Sequence, residues 1–285
     1  MYAYLRVLLF VFVGVVIFSF LNFYLAVRPV KFKTGVTPGQ LGLEYENISF
    51  KTEDGITIKG WFIPAKKKTD KSVIVAHGYP FDKNNILGAT YFLAEKYNLL
   101  LFDFRYFGES AGWYTTVGYN EKKDFLAAID WLKKRNLTKT GAMGFSLGAA
   151  TILMANSDDV KAIVSDSSYA NIDMMIKRTY FIFPGITKLP FVWLTKLYAR
   201  MLFGLSTKEV SPLNEISKIK APVLLIHGDK DSQIPVENTK KLYEGSNKKN
   251  TELWIVPDAD HGYALNLYPK EYEERIFNFF EKNIK

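Results

Sequence analysis

The pentapeptide Gly144-Phe145-Ser146-Leu147-Gly148 constrains the fold of this 285-residue chain more than any other stretch. The short apolar run before it indicates the end of a buried strand, and the small residues after it indicate a helix. A serine between the two lies on a tight turn that pushes its hydroxyl out of the sheet. Side chains at positions 144 and 148 would collide with the neighbouring strand and helix, so glycine is needed there. The pattern predicts a strand–turn–helix unit with an accessible serine.

The rest of the chain alternates between strand-like and helix-like segments. Strand-like runs lie near residues 43–50, 56–63, 72–77, 98–103, 140–145, 161–166, 222–227 and 251–256. Helix-like stretches lie near residues 84–97, 119–135, 147–156, 236–245 and 269–283. Such alternation is typical of a mostly parallel sheet with helices on both faces. With 48% hydrophobic residues the chain is able to bury one large core. We predict an α/β fold with a mostly parallel, eight-stranded sheet.

A serine acts as a nucleophile when a base takes its proton and a third group holds that base. The chain has only three histidines, and His261 lies in a loop that directly follows a strand-like run. Asp231 follows another such run and is the preferred acid, while Asp229 and Asp166 are alternatives. We therefore predict a catalytic triad of Ser146, Asp231 and His261.

The two remaining histidines receive other interpretations. His227 lies in a His-Gly turn and is predicted to be structural, with its ring bonded to a nearby loop. His77 begins a loop that is expected to supply one backbone N–H to an oxyanion hole. Pro80 has no N–H to offer, so the amide of Tyr79 is the predicted donor. The second donor is expected from the residue after the nucleophile, Leu147.

Taken together, these motifs resemble those of the α/β-hydrolase superfamily, and the chain is similar to its Bem46-like, serine-aminopeptidase-like branch of membrane-anchored hydrolases. The resemblance is carried by residues 77–78, 102–110, 144–148, 227–231 and 260–262. The order serine, aspartate, histidine along the chain is the order of this superfamily, unlike that of chymotrypsin or subtilisin. The resemblance implies the same triad and the same two oxyanion donors. It also implies a short helical cap inserted at about residues 169–212.

One segment departs from the family pattern. The family usually has D-x-R-G-x-G-x-S after its fourth strand, and Tyr106 replaces the first glycine here. This replacement changes the shape of a loop beside the expected pocket, which bears on substrate preference rather than on chemistry. Asp103 and Arg105 of the same loop are interpreted as an internal structural pair.

The cap segment is unusually rich in large apolar side chains, which are expected to line an apolar pocket or to touch a membrane. About half of them are expected to pack on the core instead. The side chains predicted to contribute to an acyl pocket are Phe181, Phe183, Phe191 and Trp193.

The predicted activity is that of a serine hydrolase of the carboxylesterase or acylhydrolase type. It would cleave ester or thioester bonds of apolar acyl substrates through an acyl-enzyme. A peptidase or amidase with the same triad, and an inactive membrane-tethered binding protein, are the alternatives. No P-loop, dinucleotide fingerprint or H-E-x-x-H motif occurs, and cysteine is absent, so neither a cofactor nor a metal is expected. The net charge is +8 without a basic-aromatic patch, so nucleic-acid binding is not expected.

The N-terminus indicates a membrane anchor. Residues 7–27 carry no charge, and as a helix they would measure about 31 Å, which matches the hydrocarbon core of a bilayer. The run exceeds the usual core of a signal peptide, roughly 7–15 residues. We predict a transmembrane anchor at residues 1–28 and an α/β-hydrolase domain at residues 29–285. Arg28, Lys31 and Lys33 outnumber Arg6 and the amine on the other flank, which favours a cytoplasmic catalytic domain at an anionic bilayer surface.

Overall fold

The computed structural model describes residues 1–32 and 35–285, so Lys33 of the predicted charge bias lies outside the described residues. The strands are β1 (Glu46–Lys51), β2 (Thr57–Ile63), β3 (Lys71–Ala76), β4 (Asn98–Phe102), β5 (Lys139–Phe145), β6 (Val160–Asp166), β7 (Val223–Gly228) and β8 (Thr251–Val256). The α-helices are α1 (Tyr2–Val27), α2 (Lys83–Thr90), α3 (Glu121–Lys133), α4 (Leu147–Ala155), α5 (Ile172–Thr179), α6 (Leu189–Phe203), α7 (Glu237–Gly245), α8 (Ala264–Leu267) and α9 (Pro269–Asn283). Every predicted strand and helix coincides with one of these elements, and the 3₁₀ turn Tyr91–Glu95 completes the stretch predicted near 84–97.

The strands form one eight-stranded sheet in the order β1-β2-β4-β3-β5-β6-β7-β8. The β1–β2 and β2–β4 pairs are antiparallel, and the pairs from β4 to β8 are parallel. This confirms the predicted mostly parallel sheet. Apolar clusters cover both of its faces, as parallel strands buried on two sides require. The carboxyl ends of β3, β5, β6, β7 and β8 therefore meet at one edge, where α/β proteins bind their ligands.

The loop after β4 is held by buried ion pairs. Asp103 Oδ2 lies 2.7 Å from Lys83 Nζ at the start of α2. Arg105 Nη2 lies 2.7 Å from Asp124 Oδ1 on α3, and its Nη1 lies 2.8 Å from Asp54 Oδ2 in the β1–β2 turn. The interpretation of Asp103 and Arg105 as an internal pair was wrong, because each binds a charge on another element. Both fix the position of the loop.

The insertion between β6 and β7 is helical. It holds α5, α6 and the short 3₁₀ turns Gly185–Lys188, Thr207–Glu209, Pro212–Asn214 and Ile216–Lys218. We call residues 169–212 the cap.

Helix α1 is long and apolar enough to cross a membrane, a criterion that a signal sequence at an N-terminus also meets. Its first half is exposed, and its second half packs on the cap. The ring of Phe18 lies 5.6 Å from that of Phe191. The ring of Phe23 lies 5.8 Å from that of Tyr198 and 5.7 Å from that of Phe203.

The chain leaving α1 is bonded to the loop that follows β4. The amide of Thr115 donates to the carbonyl of Val27 at 2.9 Å, and the Tyr106 hydroxyl donates to the carbonyl of Pro29 at 2.6 Å. Tyr106 has a φ of 74°, in the left-handed region that favours glycine. Tyr106, which replaces the first glycine of the family pattern, therefore provides a side chain that binds the segment following α1.

Candidate active site

Ser146 lies on the turn between β5 and α4. Its φ of 53° and ψ of −110° belong to a region that residues with side chains rarely adopt. The amide of Ser146 donates to the carbonyl of Asp166 on β6 at 2.8 Å. This bond, together with the start of α4, holds the serine at the carboxyl edge of the sheet.

The two glycines of the pentapeptide are required by close approach of the backbone. A Cβ at Gly144 would lie 2.5 Å from the nitrogen of Ala149 in α4. A Cβ at Gly148 would lie 2.2 Å from the carbonyl oxygen of Ala76 at the end of β3. The predicted collisions with the neighbouring helix and strand are confirmed.

Asp231 and His261 are joined by a hydrogen bond of 2.7 Å between Oδ2 and Nδ1. Burial alone would raise the pKa of the Asp231 carboxyl, but hydrogen bonds from His227, from His261 and from the amide of Ile234 outweigh it and hold this pKa well below its usual range. Asp231 is therefore an ionised acceptor, and Nδ1–H of His261 is the donor. This tautomer leaves Nε2 of the ring free to accept a proton.

The alternative acids bind other groups. Asp229 accepts a hydrogen bond from the amide of Asp258 at 2.7 Å. Buried Asp166 accepts one from the hydroxyl of Tyr272 at 2.8 Å. Among residues 1–32 and 35–285, Asp231 is thus the carboxylate bonded to the ring of the candidate base.

His227 is structural, as predicted, and has a second contact that the sequence analysis missed. Its Nδ1 lies 2.6 Å from Thr239 Oγ1, and its Nε2 lies 2.7 Å from the carbonyl oxygen of Ile234. The same Nε2 lies 3.2 Å from Oδ2 of Asp231. The ring therefore contacts the same carboxylate oxygen that is bonded to His261. The spacing of four residues between His227 and Asp231 is the signal that was available for this contact.

The amides of Tyr79 and Leu147 have no protein acceptor within the described part of the chain. Leu147 is the first residue of α4, where a helix leaves its N–H groups unpaired. Gly78 lets the Tyr79 loop approach, because a Cβ there would lie 2.7 Å from the Phe145 ring. Both residues line the same cavity as Ser146. They stay the predicted donors to an oxyanion.

A cavity of about 430 Å³ lies over Ser146 and His261. No Asp, Glu, Lys or Arg of the described residues lines it. Its helical walls include Phe23, Leu25, Ala26 and Val27 at the end of α1, Ile172, Met175, Ile176 and Thr179 on α5, and Thr195, Ala199 and Phe203 on α6. The site therefore presents a serine and an imidazole to an apolar, uncharged space.

The four side chains predicted to form an acyl pocket do not line this cavity. Phe183 and Phe191 stack on each other with ring centroids 4.3 Å apart and pack against Phe18. Phe181 and Trp193 are exposed, at 75% and 63%. The prediction was wrong, because residues at the end of α1 and in later turns of α6 line the cavity instead.

The family model for the prolyl oligopeptidase family matches residues 109–285. The chain is 30% identical over 237 residues to the uncharacterized protein YqkD of Bacillus subtilis, a match that covers 80% of this chain and 76% of YqkD.

Solved structures of hydrolases are also similar to this chain. The esterase Pf2001 of Pyrococcus furiosus is 32% identical with a TM-score of 0.75, over 90% of this chain and 100% of the esterase. The acylaminoacyl peptidase of Pyrococcus horikoshii is 21% identical with a TM-score of 0.62, over 88% of this chain and 44% of the peptidase, a likeness of fold alone. These similarities confirm the predicted resemblance to the α/β-hydrolase superfamily. None of them tests the Bem46-like branch, which stays a prediction.

We predict that Gly148→Ala destabilises the protein by at least about 2 kcal/mol, because the backbone of β3 has no room to move away. Gly88→Ala is the matched control, since Gly88 lies inside α2 and no atom lies within 4 Å of its added Cβ. We expect the control to be neutral or stabilising by up to about 1 kcal/mol. Denaturant unfolding of both variants in detergent measures the difference, and equal stabilities would contradict the account of the turn.

Proposed function

The chain belongs to the prolyl oligopeptidase family of α/β-hydrolases, and we propose that it is a membrane-anchored serine hydrolase cleaving ester or thioester bonds of apolar acyl substrates. The observation that carries the proposal is the uncharged, largely apolar cavity above Ser146 and His261. An acyl chain loses little on entering such a space and gains the free energy of leaving water.

In the proposed mechanism, Ser146 Oγ attacks the carbonyl carbon while Nε2 of His261 takes its proton. Asp231 holds the imidazole through Nδ1 and stabilises the positive charge that forms on the ring. The amides of Tyr79 and Leu147 stabilise the oxyanion of the tetrahedral intermediate. His261 then protonates the leaving alcohol or thiol, and the acyl group remains on Ser146. A water molecule, deprotonated by the same imidazole, releases the carboxylic acid.

A peptidase or amidase is the second candidate, and the family name favours it. Two observations favour acyl esters. A peptide brings several N–H and C=O groups that would lose hydrogen bonds to water in the apolar cavity. The esterase Pf2001 is 32% identical over its whole length, whereas the acylaminoacyl peptidase is 21% identical and more than twice as long as the matched part. An inactive binding protein is the third candidate, and the bonded Asp231–His261 pair argues against it.

We propose that α1 is an uncleaved anchor rather than a signal peptide. Its end is part of the fold, because Phe23 and Val27 are buried and the carbonyl of Val27 accepts the amide of Thr115. Cleavage after α1 would remove one wall of the cavity. In the sequence, Arg28, Lys31 and Lys33 after α1 outnumber Arg6 and the amine before it, which favours a cytoplasmic catalytic domain, next to the lipid bilayer as partner.

We expect Ser146→Ala to lower the turnover of a medium-chain acyl ester by roughly 10⁴–10⁶-fold with the fold intact. Ser157→Ala, a serine in the loop before β6, is the control and should keep wild-type turnover. The measurement is steady-state hydrolysis by the full chain in detergent, with an ester, a thioester and a peptide that share one acyl group. Wild-type turnover by Ser146→Ala would contradict the proposed nucleophile. Faster cleavage of the peptide would establish the peptidase, and no turnover by the folded wild type would favour the binding protein.

We expect medium or long acyl chains to be preferred over acetyl. Each buried methylene contributes up to about 0.8 kcal/mol, or about fourfold in kcat/KM, until the cavity is full. Phe23→Ala enlarges the cavity at its α1 wall and should move the optimum to longer chains. Phe12→Ala makes the same change on the exposed part of α1 and should leave the profile unchanged. The test is kcat/KM across a series of acyl lengths, and a steady fall from acetyl onwards would contradict the acyl pocket.

A further inference from the structure

The tip of the cap exposes a group of large apolar side chains. We call residues 181–193 the cap tip. The exposed members are Phe181, Ile182, Ile186, Leu189 and Trp193. Soluble proteins rarely expose so many large apolar side chains in one short segment unless the surface binds a partner or a membrane.

The cap tip lies beside the middle of α1, not beside its end. The ring of Phe18 contacts those of Phe183 and Phe191, with centroids 5.8 and 5.6 Å apart. Phe18 stands ten residues before Arg28, which corresponds to about 15 Å along the helix. If α1 crosses a bilayer between Arg6 and Arg28, side chains that touch Phe18 lie well below the surface on the domain side.

The charged residues around the cap tip are compatible with a position below the bilayer surface. Residues 174–208 contain six basic residues and no acidic one. Lys188 is the charged residue within the cap tip, and its long apolar stem allows the ammonium group to reach the headgroups. Lys196 is ion-paired with Asp173, and Arg178 donates to the carbonyl of Ser232. Lys177, Arg200 and Lys208 also flank the tip, where they would meet anionic lipid phosphates.

The backbone of the cap tip is also compatible with an apolar solvent, in which unpaired N–H groups are costly. Pro184 and Pro190 have no N–H. The amides of Phe181, Phe183 and Thr187 donate to backbone carbonyls at 2.9, 3.1 and 3.1 Å. Three amides of the turn, those of Ile182, Gly185 and Ile186, have no backbone acceptor among the described residues, so the turn pairs part of its donors internally.

We propose that the cap tip is immersed in the bilayer beside α1, with lipid hydrocarbon as the partner of its exposed side chains. The inference rests on the proposed function only in taking α1 as membrane-spanning. It gives an acyl chain a path from the leaflet to Ser146, because the cavity lies between α1, α5 and α6.

The chain contains no cysteine, so single labelling sites are available without altering other residues. An environment-sensitive fluorophore is attached to Ile186→Cys in the full chain, reconstituted in phosphatidylcholine–phosphatidylglycerol vesicles. Val11→Cys marks the exposed part of α1. Asn247→Cys marks the loop before β8, at the edge of the sheet opposite the cavity. Two quenchers are compared, lipid nitroxides on the acyl chain and iodide in water.

We expect the lipid nitroxides to quench the Ile186→Cys and Val11→Cys labels several-fold, whereas iodide should not quench them. The Asn247→Cys label should be quenched by iodide and not by the lipid nitroxides. The same result with a label at Ile182→Cys would rule out an effect of one substitution. Quenching of Val11→Cys by lipid and of Ile186→Cys by iodide would overturn the proposal while leaving the anchor intact. Quenching of both labels by iodide alone would overturn the proposal together with the anchor, and ester hydrolysis by the same samples would show whether the catalytic proposal survives.

Discussion

The close approach of α4 to the end of β3 is the constraint on which the site depends. Gly148 lies against the carbonyl of Ala76 so closely that a methyl group would not fit. This contact forces Ser146 into a strained conformation and aims its hydroxyl away from the sheet. The parallel order of β3, β5, β6, β7 and β8 then brings the loops that carry Tyr79, Asp231 and His261 to the same edge. The strain at one residue is thus stabilised by the packing of the whole sheet.

The end of α1 is an integral part of the candidate site. Its apolar side chains complete the wall of the cavity, and its last carbonyls accept hydrogen bonds from the domain. The hydroxyl of Tyr106 bonds to the carbonyl of Pro29, and Lys31 Nζ lies 4.7 Å from the centre of its ring. Substrate pocket and N-terminal helix are therefore one structural unit. Under the proposed function, membrane attachment and acyl selectivity depend on the same contacts.

Patterns local in sequence predicted most of the fold and the polar part of the site. Period and turn residues identified the eight strands, and the glycines of the pentapeptide identified the strained turn. The sequence favoured Asp231 over Asp229 and Asp166 without excluding the other two. In the structure, the hydrogen bond to His261 distinguishes Asp231 from these alternatives. The pocket wall was not predictable in this way, because it depends on where α1 packs. Phe181 and Trp193 are large and apolar, as pocket residues often are, yet their side chains are exposed. One wall of the cavity comes instead from α1, more than 150 positions earlier in the chain. The partners of Asp103 and Arg105 were missed for the same reason, since each lies on another element.

The most direct test of the central claim is covalent labelling of the full-length protein in vesicles by alkyl fluorophosphonates. The modified residue is located by peptide mass spectrometry, and the rate is compared between a long-chain and a methyl reagent. The account predicts one adduct, on Ser146, that forms faster with the long chain and slows sharply in His261→Ala. An adduct on another residue, or equal labelling of Ser146→Ala, would contradict the assignment of Ser146 as the activated nucleophile.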